Sequence, residues 1–182
     1  MIMKNKLYSA LILLIIILTA ATCKKNPADT NGLPPATQDG KNTLGFLLNG
    51  QQWTPQGNNG TGNLSLYYDA GFSGGVFNLS AYRNLNSSTG QRQSLIMYGD
   101  SIQGPQRISL PNKNKFGFDF WNESGKCTYS TSDPATILLS GFFNIIKLDK
   151  INHIFSGEFE IHFKKNGCED VQISQGRFDM KF

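Results

Sequence analysis

The feature that most constrains this fold is a strict two-residue alternation near the end of the chain. Between His153 and Lys164, Phe155, Phe159, Ile161 and Phe163 fall on one side, with Ser156, Glu158, Glu160 and His162 on the other. That period belongs to an extended strand with one buried face, because successive side chains of a strand point to opposite faces. A second long run, Thr136 to Leu148, precedes it across Asp149-Lys150-Ile151-Asn152, so the two are expected to pair antiparallel.

Shorter runs of the same kind fill the chain from Thr43 onward. Thr43 to Leu48 and Gln51 to Thr54 flank Asn49-Gly50, a dipeptide suited to the positive φ angles of a type I′ hairpin. Leu64 to Asp69 alternates, as do Phe77, Leu79 and Ala81 against Asn78, Ser80 and Tyr82. Ser94 to Tyr98, Arg107 to Leu110, the stripe Phe116, Phe118 and Phe120, and Cys127 to Ser130 follow. Val171 to Ser174 and Arg177 to Phe182 close the sequence. No stretch after Cys23 has a helical period. About ten short antiparallel strands predict an all-β domain over residues 43–182, an antiparallel β-sandwich, with a closed β-barrel as the alternative.

The amino terminus is of another kind. Lys4 and Lys6 precede an apolar run from Leu7 through Ala21, which ends in Ala20-Ala21-Thr22-Cys23. At about 15 residues the run is short of the roughly 20 that span a bilayer, so residues 1–22 read as a cleaved signal peptide. A cysteine directly after small residues resembles a lipobox, although Ala20 stands where leucine is usual and Thr22 where Gly or Ala is commoner. Cys23 is therefore the expected lipidation site, and more than one acyl chain there would give lasting membrane attachment. Residues 23–42, with Pro27, Gly32, Pro34, Pro35 and Gly40 among polar residues, read as a flexible tether averaging near 25 Å end to end.

Charge and cysteine content narrow the class further. The 17 basic and 13 acidic residues become 15 against 13 once Lys4 and Lys6 are removed, and the basic residues are scattered. Such a balance argues against nucleic acid as a partner. Three cysteines leave one unmatched in an exported protein. With Cys23 given to the anchor, Cys127 and Cys168 are left to form a disulfide, in a compartment where disulfides persist.

The stretch Leu33-Pro34-Pro35-Ala36-Thr37-Gln38-Asp39-Gly40 through Leu48-Asn49-Gly50, followed by Trp53 and Pro55, resembles the opening of a family of uncharacterised Bacteroidetes lipoproteins. Ser156-Gly157-Glu158-Phe159-Glu160, then Cys168, then Gly176-Arg177-Phe178-Asp179, is similar to that family's SGxFxF…C…GRFD ending. The two stretches bracket the whole domain. The resemblance implies an envelope lipoprotein of unknown function and carries over no catalytic residues.

Motifs for chemistry are few. Gly71-Phe72-Ser73-Gly74-Gly75 matches a nucleophile elbow, yet the residues after it alternate as a strand and not as the helix an elbow requires, so a turn is expected. His153 and His162 are the two imidazoles. His162 shares a strand face with Glu158 and Glu160, which is the arrangement of a metal site or a glycosidase pair but also of any solvated strand face. No metal, cofactor or catalytic residue is expected. Trp53, Tyr67, Tyr82, Tyr98 and Trp121 lie on or near faces opposite the clearer apolar stripes and are the candidate binding surface.

The expectation is an outer-membrane, lipid-anchored envelope protein, on a membrane side the sequence does not specify. It would act by binding or structural association, with an envelope glycan or a protein as partner and without enzymatic activity. The competing readings are an envelope-glycan hydrolase and a barrel that holds a small lipid.

Overall fold

A computed structural model describes residues 31–182 apart from 58, 59, 61, 87, 90 and 113–115. The signal segment, Cys23 and residues 24–30 lie outside the described residues. Among the described residues there are eleven strands: β1 (Thr43–Leu48), β2 (Gln51–Trp53), β3 (Leu64–Asp69), β4 (Val76–Asn86), β5 (Gln91–Gly99), β6 (Gln106–Leu110), β7 (Phe116–Asn122), β8 (Cys127–Ser130), β9 (Thr136–Asp149), β10 (Ile154–Lys165) and β11 (Val171–Lys181). They form two antiparallel sheets, six strands in the order β2-β1-β11-β10-β9-β6 and five in the order β3-β4-β5-β7-β8. The sheets do not close on each other, so the fold is a β-sandwich and the barrel alternative does not apply.

Local sequence explains most of the elements. Asn49 and Gly50 both take positive φ, 49° and 81°, and the two-residue turn pairs Leu48 with Gln51 and Phe46 with Trp53. The long pair β9–β10 runs through twelve paired positions, from Ile154 opposite Asp149 to Lys165 opposite Thr136. Phe155, Phe159, Ile161 and Phe163 all point into the core, as the alternation requires. The last two expected strands are one. Gln175, at φ 53°, lies where the pairing slips, and Gly176 sits opposite Phe159, so the interruption is a β-bulge within β11.

The core is an aromatic layer between the sheets. Phe77 of β4 stacks on Phe143 of β9 at 5.2 Å, and Phe118 of β7 meets Phe163 of β10 at 5.3 Å. Each contact joins one sheet to the other. At one end the Cys127–Cys168 disulfide ties β8 to the β10–β11 loop, with Cα atoms 6.1 Å apart. Beside it Lys165 Nζ lies 2.7 Å from Asp133 Oδ2 and donates to Thr128 O at 2.7 Å.

The amino-terminal segment differs from the expected tether, since residues 31–41 lie against the domain. Leu33 is buried, and a Cβ added at Gly45 would sit 2.5 Å from Pro34 Cδ, which shows how closely the segment crosses β1. The Asp179 carboxylate gathers it: Thr37 Oγ1 donates to Oδ2 at 2.5 Å, Gly40 N to Oδ1 at 2.7 Å, and the amides of Asp39 and Lys41 to Oδ2 at 3.1 and 3.2 Å. The packed unit therefore begins before Thr43. The same cover explains Ser156, which faces outward by alternation and sits opposite Asp179, yet is 1% exposed.

Candidate functional site

Four of the five aromatic residues singled out in the sequence come together on the outer face of the five-stranded sheet. Register places them. Tyr82 of β4 is opposite Ser94 of β5, and Ser94 is opposite Trp121 of β7. Tyr67 of β3 is opposite Asn78 of β4, Asn78 is opposite Tyr98 of β5, and Tyr98 is opposite Gly117. Between these two rows runs a third, Ser65, Ser80, Ile96, Asp119 and Ser130. The inward partners on the same strands are Leu79, Ala81, Leu95, Met97, Phe118 and Phe120, all buried. Burying those side chains drives the aromatic set outward, because neighbours in sequence take opposite faces.

The face has defined geometry. Tyr98 reclines over Gly117, where an added Cβ would meet its ring carbons at 2.1 and 2.2 Å, so only glycine permits the ring to lie on the sheet. Tyr67 is 60% exposed. Arg92 Nε is 3.2 Å from Glu123 Oε1, and its guanidinium sits 5.9 Å from the Tyr82 ring. The Ser65 and Ser80 hydroxyls are 2.8 Å apart. Tyr82, Arg92, Ser94, Trp121 and Glu123 border an open groove of about 350 Å³, at the small end of the range for ligand sites. Asp119 Oδ1 is buried and has no hydrogen-bond partner among the described residues.

Trp53 does not belong to the surface. It is fully buried, stacked on Phe46 at 4.5 Å, and its Nε1–H donates to Gln93 Oε1 at 3.0 Å. The reason is register: a two-residue turn at Asn49-Gly50 puts Trp53 directly across from inward-facing Phe46, and that signal was present in the sequence. Asn78, Ser80, Ser94 and Asp119 are members of the face that composition alone does not mark. Their positions in the period-two pattern are the signal that finds them.

The other candidates gather less. Glu158 lies opposite Arg177 and Asn144, Glu160 opposite Phe142, and His162 Nε2 is 4.0 Å from Asp170 Oδ2. Among the described residues no three His, Cys, Asp or Glu side chains are grouped to hold a metal. Gly71 to Gly75 forms the turn between β3 and β4, with Ser73 at φ 45°. A larger groove, about 750 Å³, runs past Pro34, Leu44, Leu64 and Met180, and among the described residues Lys181 is the one titratable side chain lining it. No helix among the described residues is long and apolar enough to cross a membrane. Comparison with family models, with curated proteins and with solved structures finds no match.

Proposed function

We propose that this chain is a lipid-anchored protein of the outer membrane that works by binding, without enzymatic chemistry, through the outer face of its five-stranded sheet. The observation that carries the reading is the gathering of Tyr67, Tyr82, Tyr98 and Trp121, from four different strands, on one outward face. A set of large rings on a solvent-facing sheet is the kind of surface that marks an interaction site, since rings supply contact area and a polar tip together. The anchor rests on Cys23 after its small residues, and the resemblance to Bacteroidetes envelope lipoproteins supports the same location.

Affinity capture from envelope extract with the mature chain tests the binding role. A specific partner should be retained by the native protein and lost by the Tyr82→Ala, Trp121→Ala double variant, and equal recovery by both would remove the face from the reading. Membrane fractionation of Cys23→Ala tests the anchor, with release into the soluble fraction as the expected result.

A further inference from the structure

The binding reading leaves the occupant of the outer face open, and the chemistry of that face selects one. We propose that it holds an uncharged, extended, β-linked chain of pyranose sugars, lying across the strands with alternate sugars stacked on Tyr82 and Trp121. This inference rests on the binding role and specifies its ligand.

Spacing is the first argument. Tyr82, Ser94 and Trp121 stand side by side on β4, β5 and β7, so the two rings are two strand spacings apart, about 10 Å. Each ring of an extended β-linked glycan advances by close to one strand spacing, and successive rings are turned over, so every second sugar presents the same face. Tyr82 and Trp121 then meet the first and third sugars, while the small hydroxyl of Ser94 faces the second. Tyr67, Asn78 and Tyr98 repeat the arrangement of ring, short polar side chain and ring, about 13 Å further along the strands.

Chemistry is the second. A pyranose has apolar C–H faces and a rim of hydroxyls, so it needs aromatic planes beside donors and acceptors. Ser65, Ser80, Asn78 and Asp119 lie between and among the rings. An acyl chain or apolar peptide would bury Asn78 and the paired Ser65 and Ser80 hydroxyls without giving them new partners. Charge is the third. Arg92 is engaged by Glu123, which leaves Asp69 and Asp119 in excess on this face, a field that disfavours nucleic acid and anionic glycans.

Calorimetric titration of the mature chain, carrying Cys23→Ala for solubility, with cellohexaose and chitohexaose tests the proposal. Maltohexaose serves as the α-linked control and sialyllactose as the anionic one. At least one β-linked hexaose should bind, with Tyr82→Ala and Trp121→Ala each weakening it about tenfold or more, and with both controls weaker. Thermal unfolding checks that the variants are folded. Because they remove rings at opposite ends of one row, loss of folding in one still leaves the other as a test. Absence of heat with both β-linked hexaoses, unchanged affinity in the folded variants, or equal affinity for maltohexaose would each overturn the proposal. If no hexaose binds while envelope capture still depends on Tyr82 and Trp121, the glycan assignment falls and the binding role stands.

Discussion

Trp53 on β2 donates its indole N–H to Gln93 Oε1 on β5 at 3.0 Å, and this bond ties the edge of the six-stranded sheet to the middle of the five-stranded one. The same oxygen accepts from Arg83 Nε at 2.9 Å, while Arg83 Nη1 donates to Gln52 O at 3.1 Å. The guanidinium lies 5.6 Å from the Trp53 ring, and desolvation by burial pulls its pKa down. Gln93 therefore satisfies two donors from two other strands. Gln93→Leu keeps the volume but strands both, and should cost about 2–4 kcal/mol in a urea melt. A loss below ~0.5 kcal/mol would show that water replaces the glutamine.

Asp179 holds the amino-terminal segment by four donors from residues 37–41. Asp179→Ala should destabilise the domain by about 2–4 kcal/mol, since hydrogen bonds to a buried charge are among the stronger ones. Limited proteolysis should then cut between residues 31 and 42, where the native protein is expected to resist. Unchanged cleavage would mean that Leu33 and Pro34 hold the segment without the carboxylate.

The same residue sets a pH dependence. Burial alone would raise the Asp179 pKa, but the hydrogen bonds from Thr37, Gly40, Asp39 and Lys41 outweigh it and hold the carboxyl below its usual value. Asp133 is likewise held down, chiefly by its bond to Lys165. A carboxylate depressed in the folded state contributes stability that is complete above its unfolded pKa of about 4 and lost as pH falls through the folded value. The urea midpoint should stay nearly level from about pH 7 to 5 and fall below about pH 4, and Asp179→Asn should flatten that fall. A midpoint that rises toward acid would contradict the assignment.

The disulfide is the remaining handle. Cys127 and Cys168 are 41 residues apart, and in the chain-entropy model a loop of that length stabilises by about 4 kcal/mol. The double replacement Cys127→Ala, Cys168→Ala should lower stability by that order without changing the aromatic face, which lies across the five-stranded sheet from the bridge. Comparing urea melts of the native and double-alanine proteins, and of the native protein with and without reductant, measures it.

Much of the fold was legible because its signals are local. The alternation in β10, the Asn49-Gly50 hairpin and the turn at Gly71 to Gly75 each depend on residues next to one another. The disulfide was legible by cysteine parity. What misled were places where a distant segment changes the environment of a local pattern. Ser156 follows the outward alternation and is nonetheless buried, because residues 37–41 fold over Asp179 beside it. Proline and glycine in residues 31–42 look like a free linker until Leu33 and Gly45 show where the segment docks. The bulge at Gln175 reads as a break between strands, since nothing nearby shows that β10 pairs with both halves.

By itself, the sequence determined which side chains of each strand face the core, because alternation is written residue by residue. It also determined that Tyr67, Tyr82, Tyr98 and Trp121 point away from their neighbouring apolar stripes. Only the tertiary structure decided that these four share one sheet and stand in rows with Ser94 and Asn78 between them. Strand order and register come from pairing between segments far apart in the chain, and no local period encodes them.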